Sequence, residues 1–243
     1  MRQGWDSEAL NWARFARTPG HDHSHEEINL PALLALLPPP GRLTLDLGCG
    51  EGRLGRILES LGHRVIGIDA SATMVRLAAT HGTPEPAVLA DAAELPFPDG
   101  CFDLVVAYMT LHDMDRMPEA VAEAARVLQP GGRLCMAIVH PLNSAGDFQD
   151  RDAAAPFVIS GSYLEPAPVT MTIDRGGIPM TFHSQHRPLE TYARALEAAG
   201  MQIQAVREVG SSDELAARDP AAGRWTRIPL FLHLLALRPP AAA

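Results

Sequence analysis

The chain has 243 residues, 47% of them hydrophobic, with 20 basic against 29 acidic side chains and a formal net charge of −9. That composition suits a globular protein with a sizeable core. Every basic residue is Arg, which excludes a Schiff-base lysine and the Gly-Lys-Ser/Thr of a P-loop. The acidic excess argues against nucleic acid, whose phosphates select clustered positive charge.

The first 40 residues read as a leader. A helix is expected over 7–17, a polar loop over 19–27, and an apolar segment over 28–37 that Pro38, Pro39 and Pro40 stop. From residue 43 the pattern alternates: strand 43–47, helix 52–61 and strand 64–68 make a βαβ unit. Next come a helix over 71–81, a short strand over 87–89, and a run over 102–108 that is apolar on both faces apart from Asp103. Strands of that kind belong in a parallel sheet covered by helices on both sides. A helix over 117–128 ends at the Gln129-Pro130-Gly131-Gly132 turn and leads to a strand over 133–139.

Residues 140–188 are too long for a connection in a compact sheet and read as an insertion. Inside it Val169, Met171 and Ile173 alternate with polar neighbours, as do Ile178, Met180 and Phe182. With Arg175-Gly176-Gly177 between them they describe a β-hairpin with one apolar face. A helix over 189–199 capped by Gly200, a strand over 202–209, a polar loop and a strand over 227–237 complete the chain. The fold class is α/β: a Rossmann-like, doubly wound seven-stranded sheet, mostly parallel with the last strand antiparallel, plus a β-hairpin cap. Its units are a helical lid (1–40), a core (41–139), a substrate cap (140–188) and the completion of the core (189–243).

Cys49, Cys101 and Cys135 lie far apart in apolar surroundings and read as structural thiols, with neither disulfide nor zinc. The N-terminus lacks a basic then apolar signal, and the longest apolar tract, 228–237, holds His233 and is half a membrane span. A cytoplasmic protein with no membrane partner is expected.

The chemistry gathers after the first strand, in Asp46-Leu47-Gly48-Cys49-Gly50-Glu51-Gly52. Glycines between a strand and a helix N-terminus let a ligand approach the backbone. Gly50, Gly52 and Gly55 also spell GxGxxG, with Asp69 as the acid that follows in a dinucleotide site, so the glycines alone fit two ligands. Asp46, before the glycines, would repel a pyrophosphate and attract a cation. Asp69, in Gly67-Ile68-Asp69-Ala70-Ser71, suits two ribose hydroxyls, and Asp91-Ala92 is placed to meet an adenine edge. Together these describe an adenosine carrying positive charge.

On those residues the chain resembles the class I S-adenosylmethionine-dependent methyltransferases, of the group similar to the ubiquinone and menaquinone biosynthesis enzymes, over about residues 42–139. The resemblance implies Asp46, Gly48, Cys49, Gly50 and Gly52 under the methionine part, Asp69 and Ala70 at the ribose, and Met74 as an apolar cover on the adenine. It places Asp91 and Ala92 at the adenine edge and Tyr108 beside the methionine moiety. Residues 126–134, Arg-Val-Leu-Gln-Pro-Gly-Gly-Arg-Leu, are the family's helix-to-strand signature. In Leu111-His112-Asp113-Met114 the chain departs from relatives that often carry a second His at Asp113.

The implied reaction is methyl transfer from S-adenosyl-L-methionine, yielding S-adenosyl-L-homocysteine, to O, N or C of a small-molecule acceptor in biosynthetic or secondary metabolism. The sulfonium is already activated, so alignment and exclusion of water supply much of the rate and a base is optional. His140, His186 and His112 are the candidate catalytic bases, with His183 also near the expected acceptor side. A tRNA or protein methyltransferase and a non-catalytic S-adenosylmethionine-binding regulator are the alternatives.

His21-Asp22-His23-Ser24-His25-Glu26 has metal-ligand side chains but lacks the HExxH spacing, and reads as a loop folded over the pocket, with no metal. Trp5, Trp12 and Phe15 fall on one helical face and read as packing. Met171 and Met180 suit either an adaptable substrate wall or a homodimer contact.

Overall fold

Residues 44–47, Thr-Leu-Asp-Leu, are buried throughout, as befits a strand in the middle of a doubly covered sheet. In the computed structural model, which describes residues 1–80 and 87–240, this strand is β1 (Thr44–Leu47). It pairs in parallel with β2 (Val65–Asp69) on one side and β4 (Phe102–Tyr108) on the other. β3 (Val88–Leu89) lies outside β2, and β5 (Leu128–Val139) lies outside β4. β11 (Phe231–Leu237) runs antiparallel between β5 and β10 (Gln202–Val209), so the order is β10-β11-β5-β4-β1-β2-β3. The seven strands and the reversed last one match the expected fold class.

Helices cover both faces. α1 (Arg2–Arg17) and α2 (Leu30–Leu36) form the leader, and α3 (Arg53–Ser60) and α4 (Ala72–Thr80) follow β1 and β2. α5 (Met117–Val127) buries Met117, Ala120, Val121 and Ala124, a stripe at helical spacing, against the Leu45, Val105 and Leu134 face of the sheet. On the other face Leu33 of α2 and Leu54 and Leu58 of α3 pack on Val65, Leu104, Val106 and Cys135. Each such Leu contributes roughly 1.5–3 kcal/mol by leaving water.

The insertion holds α6 (Pro141–Ser144), a small ribbon of β6 (Gly146–Phe148) and β7 (Phe157–Ile159), and the expected hairpin, β8 (Ala167–Arg175) and β9 (Ile178–His186). Gly176 and Gly177 both have positive φ, 59° and 76°, as a two-residue turn between twisted strands requires. The apolar face of the hairpin closes on α1: Phe182 stands edge-on to Trp5, Trp12 and Phe15 at centroid distances of 6.0–6.4 Å. Met171, opposite Phe182, and Met180, opposite Ile173, lie on the same face of the hairpin, where Met180 is fully buried and Met171 is 52% exposed. α7 (Leu189–Ala198) and α8 (Asp213–Arg218) complete the elements.

Three segments differ from the sequence-based expectation. The polar loop 19–27 is partly a π-helical turn, Ser24–Asn29, because Asp22 and Glu26 pair with Arg53 and Ile28 is buried. β5 begins at Leu128, since Gly131 donates to Arg238 O and Arg238 donates back to Gly132 O, giving the expected turn a strand partner. The polar loop before the last strand holds α8 and a 3-10 turn, Pro220–Thr226, capped by Ser212 and Asp219, which delays the strand to Phe231. The expected end of the 71–81 helix, His81, lies outside the described residues. Among the described residues no helix is long and apolar enough to cross a membrane.

Candidate functional site

The carboxyl ends of β1, β2 and β4 meet where the strand order reverses, the place an open α/β sheet binds its ligand. Gly48, Gly50 and Gly52 take φ of 78°, 55° and 84°, so the loop after β1 bends as few other residues would allow. A Cβ at Gly48 would sit 2.1 Å from Thr110 Oγ1, which ties this loop to the segment after β4.

Two acids stand beneath the loop. Asp69 accepts from the Gly50 amide at 2.9 Å and the Ser71 amide at 2.8 Å, and burial raises its pKa. Asp46 is 2% exposed, and its Oδ2 has no hydrogen-bond partner among the described residues. Burial first, then the nearby Asp69 charge, pushes the Asp46 pKa up to about 7, against a hydrogen bond from the Gly55 amide. A buried carboxylate with a free oxygen beside backbone amides and a second acid is a receptor for a cation that also carries hydroxyls. The residues present therefore fit an adenosyl sulfonium bearing an ammonium group, and do not fit a pyrophosphate.

Around this centre, Cys49 is buried against Gly67, and burial holds its thiol well above the usual range, so it is a neutral wall. Met74 is buried with its amide on Ser71 Oγ, 3.1 Å away. Ala70 is half-buried between Asp69 and Ser71. Asp91 is exposed and accepts from the Ala93 amide at 2.9 Å, next to the buried Ala92.

The leader lies directly on the loop. Asp6 of α1 accepts from Ser71 Oγ at 2.5 Å, and Trp12 Nε1 is 3.9 Å from where a Gly50 side chain would begin. Arg17 donates to Glu51, which also takes two 2.9 Å hydrogen bonds from Arg56, and Glu51 is 1% exposed. Arg53, the first residue of α3, pairs with Asp22 at 2.8 Å and Glu26 at 3.6 Å. At the end of β4 the Tyr108 hydroxyl and His25 Nδ1 are 2.8 Å apart, with the rings edge to face. Burial raises the Tyr108 pKa, and burial with the Arg53 charge lowers that of His25 to about 4.

Beyond Tyr108 the chain turns sharply: Met109, φ 55°, is the only non-glycine with positive φ among the described residues. The next turn is held from the cap by buried Arg187, which donates to the carbonyls of Leu111, His112 and Met114 at 3.4, 3.3 and 2.5 Å. Asp113 lies near Arg187 with its side chain 12% exposed, and partial burial raises its pKa strongly.

The three candidate bases are all engaged. His112 is 6% exposed, its pKa lowered to about 3 by burial and Arg187, with Nε2 3.5 Å from Asp113. His140 caps α6: its Nδ1 accepts from the Leu142 amide, and Nε2 is 3.2 Å from Glu208. His186 contacts Ser144 Oγ through Nδ1 at 2.7 Å and Tyr163 O through Nε2 at 2.9 Å. His183 is held otherwise, its carbonyl taking the Trp5 indole N–H at 3.1 Å.

Sequence reasoning missed Glu51 with its arginines, the contact of His25 with Tyr108, and Arg187. One signal was present: Asp22 and Glu26 stand four apart, as do two residues on one helical face, and Arg53 and Arg56 follow the glycine loop at similar spacing.

Residues 45–136 match the family model described as a methyltransferase domain. The malonyl-[acyl-carrier protein] O-methyltransferase of Pectobacterium atrosepticum is 33% identical over 141 residues, 56% of this chain and 55% of that protein. The 2-methyl-6-phytyl-1,4-hydroquinone methyltransferase of Synechocystis is 33% identical over 169 residues, 67% of this chain and 47% of that protein. The chain thus spans about half the length of these curated relatives. Among solved structures, an S-adenosylmethionine dependent methyltransferase from Mesorhizobium loti superposes with TM-score 0.72 at 27% identity, covering 86% of this chain and 96% of that one.

Proposed function

We propose that this protein, whose domain and fold are those of class I S-adenosylmethionine-dependent methyltransferases, methylates O, N or C of a small, partly apolar acceptor in biosynthetic metabolism. The observation that carries this reading is Asp46, a buried carboxylate with an unpartnered oxygen next to a glycine loop and the ribose-type acid Asp69. S-adenosylmethionine would be held by Asp46, the amides of Gly48 to Gly52, Asp69, Met74, Asp91 and Tyr108, and would supply an activated methyl group on a sulfonium.

What the chain contributes is position and dryness. Asp46 and Asp69 balance a cation in a low-dielectric place, where the attraction exceeds its value in water. The leader roofs the loop through Trp12, Arg17 and Asp22, and excluding water protects an electrophile while an acceptor is aligned. The acid excess and the absence of lysine favour a small acceptor over RNA. The relatives' printed activities, on a malonyl carrier thioester and on a phytylated hydroquinone, both involve acceptors with an acidic O–H or an activated ring, which supports the same class here.

Where the acceptor carries a proton, His140, His186 and His112 are the residues from which a base would be drawn. His140 and His186 need their present hydrogen bonds to rearrange first, whereas the buried Nδ1 of His112 has no hydrogen-bond partner among the described residues. Replacing each with Ala and reading turnover at saturating acceptor tests them separately. Calorimetric titration with S-adenosylmethionine, S-adenosylhomocysteine and NADH tests the reading as a whole. Binding of the first two alone is expected, and binding of NADH alone would overturn it.

A further inference from the structure

We propose that His25 is a positioning residue of the methyl-transfer site: carried in by the leader, its neutral imidazole accepts the Tyr108 hydroxyl proton and fixes that side chain at the end of β4. The inference rests on the methyl-transfer reading but concerns a residue outside the matched domain, since His25 precedes residue 45.

Tyr108 is buried with its pKa raised, so its oxygen keeps its hydrogen, and with neutral His25 that hydrogen is donated to Nδ1 at 2.8 Å. A protonated imidazole would have to reverse the bond, donating Nδ1–H to the phenol oxygen and turning the Tyr108 hydrogen away, with its charge set beside the Arg53 guanidinium. The groups facing the ring agree. Tyr108 of β4 is the donor, Arg53 at the start of α3 disfavours a second positive charge, and Asp22, whose charge would favour one, is paired with Arg53 at 2.8 Å. Glu26, next in the leader, also pairs with Arg53, at 3.6 Å.

The consequence is a leader that seats more readily once His25 has lost its proton. With the leader open the imidazole takes its ordinary value of 6.5, and closed it falls to about 4. Seating is therefore unopposed above pH 6.5, is weakened as pH falls below that value, and the penalty stops growing near pH 4. Between pH 8 and pH 5 the closing equilibrium shifts by about thirtyfold on this account.

The test compares wild type with H25N, whose amide oxygen occupies the place of Nδ1 and accepts without titrating. S-adenosylhomocysteine affinity is measured by calorimetry at pH 8, 6.5 and 5. The acids Asp46 and Asp69 contribute alike to both proteins, so the ratio of wild-type to H25N affinity isolates His25. Whatever its value at pH 8, that ratio is expected to fall by about thirtyfold at pH 5. A ratio independent of pH overturns the proposal while leaving the methyl-transfer reading intact, and failure of wild type to bind at pH 8 overturns that reading instead. Should H25N not fold, the imidazole Cε1 proton of His25, followed by NMR in the wild type saturated with S-adenosylhomocysteine, decides: titration near pH 4 supports the proposal, and titration near 6.5 overturns it.

Discussion

The Gly50 amide and the Asp69 carboxylate, nineteen positions apart in sequence, are joined by a 2.9 Å hydrogen bond that pins the glycine loop to the end of β2. On the proposed function a ribose hydroxyl would use the same carboxylate, whose two oxygens can accept from loop and ligand together. Replacing Asp69 with Ala removes the ligand's acceptor and unpins the loop together. Two hydrogen bonds to a charged group are worth about 3 kcal/mol or more. Asp69→Ala is expected to weaken S-adenosylhomocysteine binding by a hundredfold or more, read by calorimetry.

Asp46 works against the folded state. Its pKa rises from 3.8 to about 7, so between those values the unfolded chain gives up a proton that the native protein keeps. Stability is lost as pH rises through that window and is flat above it. Asp46→Asn is therefore expected to raise Tm at pH 8, through a gain on the order of 2–4 kcal/mol that vanishes towards pH 4. The same variant should lose cofactor affinity. A cationic ligand would also draw a proton off Asp46, so wild-type binding near pH 6.5 should release protons to the buffer and the variant's should not.

Glu51 joins leader to core through Arg17 and Arg56, which are each 30% exposed, while Glu51 itself is 1% exposed. Glu51→Gln leaves both guanidinium groups short of a counter-charge, at a cost of about 1–3 kcal/mol. The leader should then open more often. Trypsin cleavage after Arg14 and Arg17 is expected to quicken by about tenfold, and unchanged cleavage would show that the remaining contacts of α1, with Phe182, Ser71 and His183, hold it without Glu51.

Arg187 is 5% exposed and carries three backbone carbonyls of the turn after Met109, near Asp113. Arg187→Met removes the donors and leaves the carbonyls of Leu111, His112 and Met114 without them. A loss of about 3 kcal/mol is expected, seen as a fall of roughly 10 °C in Tm. Arg187→Lys should recover part of the stability, since a lysine supplies the charge without the planar fork.

Sequence by itself determined the sheet and the ligand loop. Phe102–Tyr108 is apolar on both faces apart from Asp103, which suits a covered parallel sheet, and Gly48, Gly50 and Gly52 are local requirements of one sharp turn. Such features depend on neighbours in the chain and are legible there. The hairpin was legible for the same reason, because Gly176-Gly177 and the flanking alternation are a local pattern.

Tertiary structure decided which groups meet. His25 reaches Tyr108 across 83 positions, Arg17 reaches Glu51 across 34, and Arg187 reaches His112 across 75. None of these pairs has a spacing rule, because each depends on how the leader and cap fold back over the sheet. The same packing buries His112, covers most of Asp113 and leaves one oxygen of Asp46 without a partner among the described residues. Burial sets the charge state of such groups, and burial is a property of the assembled fold rather than of any segment of the chain.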